Sequence, residues 1–311
     1  MSKSLFACIT FSYMEGIGPA IFSNLLTHFK SAECAYTADS TTLIQLLGKS
    51  LAEKFISFRN SFDMQKEIQM IKDNNITVLT REDVLFPKAL LEIPDPPICL
   101  YIKGDISNYN FESDLYIAIV GTRKPTIYGE QVTRKFAYEL AQQGLVIVSG
   151  LALGVDAVAH TAALDAEGRT IAFLGCGVNM MYPAANRSLF KRIIDNNGLI
   201  ISEFPPNMQA QPGLFVQRNR LISGLSKGIL VAEGLKDSGS LITARYAAQQ
   251  GKDVFAPPAP ITSDLSEAPN LLLKEGAKLV TKSDDILEEY SLTSKKVNEN
   301  INIDSLTKEE Q

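Results

Sequence analysis

The residues of this chain best suited to chemistry are cations, hydroxyls and glycines placed where apolar runs end. In YIAIVGTRKPTIYGEQ the apolar run stops at Gly121, Arg123 follows two residues on, and a helical pattern resumes near Gly129. Glycine lets a ligand approach the backbone closely. The free N–H groups at a helix start attract anions. This turn therefore offers phosphate oxygens both a fixed cation and backbone donors. Similar turns recur downstream. Ser149, Gly150 and Gly154 follow VIVSG, while Gly175 and Gly177, then Arg187 and Lys191, follow TIAFL. Ser238, Gly239, Ser240 and Thr243 surround the helix start after GILVAEG. Backbone donors, hydroxyls and cations are all phosphate ligands. In FVQRNRLISGLS, Arg218 and Arg220 flank Asn219 with no acid nearby, and Phe215 offers a flat surface on which a base can stack.

The remaining polar residues read as structural. Glu203 and Glu233 end strands without a visible catalytic partner, and His160 reads as a hydrogen-bonded structural residue on a helix face rather than a ligand or base. Asp156 opens the same helix and favours its dipole. Neither a carboxylate pair nor a Ser-His-Asp set accompanies the turns, so no catalytic residue is assigned. Phe215 keeps two readings, because with Leu221 and Leu225 it forms the near-helical spacing of a buried stripe.

These turns need a scaffold, and the pattern of elements supplies one. Apolar strands at 117–121, 146–150, 170–175, 199–203, 228–234 and 253–258, with a weaker one at KLVT, alternate with helical patterns at 129–143, 155–166, 186–196, 215–226 and 239–250. Continuous apolar strands separated by helices predict an α/β fold, a Rossmann-like, doubly wound, mainly parallel sheet. Its ligands belong beyond the carboxyl ends of the strands. The chain divides into a small helical domain over 1–75, an extended connecting segment over 76–115, the Rossmann-like domain over 116–290 and a polar tail over 291–311 that reads as disordered. The helical domain resembles a helix–hairpin–helix or a SAM-like fold, since MEGIGPAIFSNLLTHF carries a Gly-x-Gly turn and Pro19 at a helix start.

Bulk properties narrow the class. With 311 residues, 45% of them hydrophobic, the chain can bury a sizeable core. It has no apolar run of transmembrane length and no signal-like N-terminus. Its four cysteines are scattered and only two histidines accompany them, so a reduced, cytoplasmic protein without metal or cofactor is expected. The net charge of −5 arises from eight acids against three lysines after residue 283, which leaves the body neutral. Within that body, 123–135 carries four basic residues and one acid, and 208–227 carries three basic residues and no acid. Such local stripes are what phosphate contacts require.

GTRKPTIYG, SGLALGVDAVAH, LGCGVNMMYPAANRSLF, ISEFPP, FVQRNRLISGLS and EGLKDSGSLITARYAAQQGKDVFAPP resemble the successive blocks of the DprA/Smf family of DNA-processing proteins. The resemblance covers about 86–280, and RNRLISGLS together with SGSLITA is its most specific part. It implies a single-stranded DNA binder without established catalytic chemistry, one that forms homodimers and hands DNA to the RecA recombinase during natural transformation. It implies that Arg123 contacts the DNA backbone and that Phe215, Arg218, Asn219 and Arg220 line the same pocket. The resemblance leaves the setting open between transformation, general recombination and phage defence. Three features depart from the family: NMQAQPGLFVQ lacks a basic residue before the RNR block, PPAPITSDLSEAPN replaces a Pro-Gly loop, and the tail is too short for a winged helix.

Two enzyme classes use related scaffolds. Nucleoside-monophosphate phosphoribohydrolases carry P-G-G-x-G-T-x-x-E, whose glutamate serves catalysis, whereas DSGSLITAR has no glutamate after its threonine. A NAD(P)-dependent oxidoreductase is disfavoured by a first turn that reads G-T-R-x-P and not G-x-G-x-x-G.

Overall fold

The structure is a computed structural model that describes residues 2–292. The tail expected to be disordered lies, from residue 293 onward, outside the described residues.

Strand alternation builds the centre. In β3 (Tyr116–Val120), Ile117 and Ile119 pack on one face while Ala118 and Val120 pack on the other, and all five residues are buried. The other strands are β1 (Thr77–Thr80), β2 (Cys99–Lys103), β4 (Val146–Ser149), β5 (Thr170–Phe173), β6 (Leu199–Ser202), β7 (Gly228–Val231), β8 (Asp253–Ala256) and β9 (Lys278–Leu279). They form one sheet of nine strands in the order β1-β2-β6-β5-β4-β3-β7-β8-β9. All pairings are parallel except β1 with β2 and β2 with β6. The expected Rossmann-like, mainly parallel architecture is the one observed.

Helices cover both faces. Those of the N-terminal region are α1 (Lys3–Tyr13), α2 (Pro19–Phe29), α3 (Ala32–Thr37), α4 (Ser40–Leu47), α5 (Lys49–Ser61) and α6 (Met64–Asp73), followed by the short α7 (Lys88–Leu91). Next come α8 (Ile127–Gln142), α9 (Val155–Asp165), α10 (Arg187–Asp195), α11 (Pro212–Leu225), α12 (Gly239–Gln249), α13 (Glu267–Lys274) and α14 (Asp284–Glu289). Residues of α8, α9 and α14 pack on the Ile117 face, and residues of α11, α12 and α13 on the Ala118 face. Two helices begin earlier than their apolar pattern. Thr126 caps α8 by accepting from the Gly129 N–H, and Pro212 occupies the first turn of α11, where its fixed φ is pre-organised.

Residues 76–115 do more than connect, because β1 and β2 extend the sheet itself. The N-terminal helices share a core with it: Phe11, Phe22 and Phe55 cluster with Tyr101 of β2 and Ala172 of β5. The Ser12 hydroxyl lies 2.7 Å from the Tyr101 hydroxyl, and Arg81 reaches across to Ser23 of α2 at 3.0 Å.

The chain runs from β3 outward through β4, β5 and β6, then returns to place β7 on the other side of β3. Strand order therefore reverses between β3 and β7. A doubly wound sheet leaves its crevice beyond the carboxyl ends at such a point.

Candidate functional site

A cleft of about 710 Å³ lies at this reversal. Gly121, Thr122 and Arg123 after β3 form one wall, and 235–240 after β7, with Thr243, form another. Pro212, Phe215, Val216, Arg218 and Asn219 of α11 close a third side. The turn after β3 is laced to both of its neighbours, since Thr122 N–H donates to the Glu233 carbonyl after β7 at 2.8 Å and Val155 N–H, at the start of α9 after β4, donates to the Thr122 carbonyl at 3.1 Å. Gly154 makes the second approach feasible. Its φ is +76°, and a Cβ there would sit 2.5 Å from the Thr122 carbonyl oxygen.

Glu233 is the structural residue its sequence suggests. Its carboxylate accepts from Thr126 N–H at 2.9 Å and from the Thr126 hydroxyl at 2.6 Å, tying the start of α8 to the end of β7. Arg123 lies on the stretch between these anchors. Its side chain is exposed and makes no hydrogen bond or ion pair among the described residues, and its guanidinium carbon lies 5.9 Å from the Phe215 ring centroid. At the start of α12 the Ser238 side chain caps no backbone N–H of the helix; its hydroxyl lies instead 2.7 Å from that of Ser240. The leading amides of α12 are thus without a side-chain cap beside the cleft.

Arg218 belongs to the wall from behind. It is 4% exposed and donates to the carbonyls of Gly150, at 2.7 Å, and of Phe173. Burial pulls its pKa down to about 10, with Asp156 acting in the opposite direction. Asp156 accepts from the amides of Gly150 at 3.1 Å and Ala152 at 3.3 Å, a more specific role than favouring a helix dipole. Asn186 donates to the carbonyls of Leu151 and Ala152 at 2.9 and 3.1 Å. Three side chains therefore saturate a turn in which Leu151 takes a positive φ of 56°. His160 lies in the core and pairs with the Thr170 hydroxyl at 2.7 Å; burial pushes its pKa down to about 3.

Of the residues singled out in sequence, Gly121, Arg123, Phe215, Arg218, Asn219, Ser238, Gly239, Ser240 and Thr243 converge on the cleft, and Gly150 lines an adjoining cavity. Others do not reach it. Ser149 is buried with its hydroxyl on the Ile119 carbonyl at 2.7 Å, and Gly177 packs against the backbone of Pro205 and Pro206. Arg220 is 5% exposed and pairs with Glu203 at 2.6 Å inside the protein. Arg187 and Lys191 are exposed on α10 and are not among the residues lining the cleft. Tyr182 lines the cleft and was not singled out, although its aromatic ring stands in the loop after β5. Among the described residues no cluster of three or more His, Cys, Asp or Glu side chains gathers as a metal would need, and no helix is long and apolar enough to cross a membrane.

The fold is that of a Rossmann-like α/β protein with a cleft at its switch point. Residues 77–291 match the family of DNA recombination-mediator protein A. The chain is 38% identical over 284 residues to protein Smf of Synechocystis, covering 90% of this chain and 71% of that protein. It is 43% identical over 208 residues to the DNA processing protein DprA of Streptococcus pneumoniae, covering 67% and 72% respectively. The solved structure of the pneumococcal protein superimposes with a TM-score of 0.79 at 32% identity, over 93% of this chain and 98% of that one. The DNA processing protein A of Helicobacter pylori, whose structure describes a single-stranded DNA binding mode, matches with a TM-score of 0.62 at 35% identity over 70% and 95%. The chain belongs to the DprA/Smf family, whose role is DNA processing.

Proposed function

We propose that this protein binds single-stranded DNA in the switch-point cleft, without a catalytic step. The observation that carries the reading is the proximity of Arg123, exposed and without a hydrogen bond or ion pair among the described residues, to the half-buried ring of Phe215 at the cleft mouth. A cation for phosphate beside an aromatic face for a base is the combination a single strand requires. The α12 start, with Ser238, Gly239, Ser240 and Thr243, adds donors along the same wall. Asn219 completes it, and Arg218 shapes it from behind. Homodimerisation and delivery of the strand to RecA belong to the same reading, supported by the family resemblance, as does a setting in transformation, recombination or phage defence.

The test is affinity for a single-stranded oligonucleotide across a salt series, against a duplex of equal length. Binding should be nearly independent of sequence, with a logarithmic salt slope of about 0.7 per phosphate neutralised. Equal or tighter duplex binding overturns the reading. Release of adenine from AMP by the same preparation would replace it with a phosphoribohydrolase.

A further inference from the structure

Tyr182 is 46% exposed, and its ring centroid lies 5.4 Å from that of Phe215 with the planes tilted by 33°. Phe215 is the more enclosed of the two. A Cβ on Gly175 would come within 2.5 Å of its ring, and Arg123 lies near the same ring. Neither aromatic belongs to the buried clusters on the two faces of the sheet. The loop carrying Tyr182 is fixed at its far end. Asn186, 8% exposed, is bound to the Leu151 and Ala152 carbonyls, and its own N–H donates to the Pro183 carbonyl at 2.9 Å. A ring on a pinned loop loses little conformational freedom when it is covered.

We infer that Tyr182 is a second base platform, outside Phe215, and that the cleft recognises two successive unpaired bases. The inference rests on the single-stranded DNA reading and specifies its unit. The two ring centroids are farther apart than the about 3.4 Å rise between stacked bases of a strand. Bases lying on the two tilted rings are splayed from each other, which a duplex does not permit. Arg123, beside the inner ring, holds the phosphate of the same step.

The chain contains no tryptophan, so Tyr182→Trp introduces a single indole reporter. A thymidine oligonucleotide at saturation should quench that indole. An equally long abasic strand, bound through its phosphates, should leave it bright. Tyr182→Phe should retain wild-type affinity and Tyr182→Ala should lose about tenfold, each with an unchanged melting temperature. An indole indifferent to saturating thymidine strand, or quenched equally by the abasic one, overturns the inference while leaving strand binding intact. Failure of the wild-type protein to bind any single strand at low salt removes the underlying reading, and the inference falls with it.

Discussion

Arg218 and Gly150 are joined by a hydrogen bond of 2.7 Å that runs from the middle of α11 to the turn after β4. The bond makes the cation part of the scaffold. An arginine with 4% exposure offers little surface to a phosphate, yet its removal would free the Gly150 and Phe173 carbonyls together. Arg123 differs in kind. It is exposed on the turn that Glu233 and Val155 brace, so it is free to meet a ligand.

Arg123→Ala should therefore weaken single-strand binding and lower the salt slope by about 0.7, the value of one phosphate contact. Thermal stability should hold, because the side chain has no hydrogen-bonding partner among the described residues. Titrations at several salt concentrations, with circular dichroism on the same sample, check both halves. A mutant that loses its folded signal would show that Arg123 is structural.

Arg220→Ala should act on folding. The pair with Glu203 is buried on both sides, and burial raises the Glu203 pKa while Arg220 pulls it back. Deleting one partner strands the other charge in the interior, at a cost of about 3–5 kcal/mol. Denaturant unfolding should register that loss. The folded fraction should bind DNA as the wild type does, because Arg220 does not line the cleft.

The sheet was legible in sequence because buried parallel strands are continuous apolar runs, and the turns after them were legible because glycines and hydroxyls mark them. The facing of individual side chains was not. Arg218, Asn219 and Arg220 are consecutive on one helix, so a sequence reads them as one basic block. In the structure Asn219 lines the cleft, Arg218 is anchored from behind and Arg220 turns inward to Glu203. Glu203 lies 17 residues earlier in the chain, beyond the reach of any local pattern. Within 76–115, ITVLT reads as the short strand that β1 is, whereas prolines mask β2, whose partner β6 is distant in sequence.

Stability should depend on pH through His160. Burial, reinforced by nearby Arg218, lowers its pKa from 6.5 to about 3, so the folded state holds the ring neutral while the unfolded chain protonates it. The stabilisation is complete above pH 6.5 and is lost as pH falls towards about 3, because the unfolded state binds the extra proton throughout that window. Its slope approaches about 1.4 kcal/mol per pH unit. Asp156, whose pKa burial raises, titrates with the opposite effect, so the histidine contribution is isolated by difference. His160→Gln removes the titration, and unfolding free energies at pH 7 and pH 5 should fall less steeply in the mutant than in the wild type. Equal slopes would mean that the buried ring does not govern acid sensitivity.

Phe215→Ala separates base recognition from packing. The near-helical spacing with Leu221 and Leu225 suggested a buried stripe, but only the two leucines, at 0% and 3% exposure, belong to the core. Phe215 is half-buried in the cleft wall, against Gly175 and Tyr182. Truncating the ring should cost well below the about 3–5 kcal/mol of a fully buried phenylalanine, because one side already faces open space. Single-strand affinity should fall by about 1–3 kcal/mol, the worth of one stacked base, with an unchanged salt slope, since no phosphate contact is removed. Melting temperature and affinity measured on the same preparation decide the matter. A large loss of stability with normal affinity in the folded fraction would return Phe215 to the core and leave the base without its inner platform.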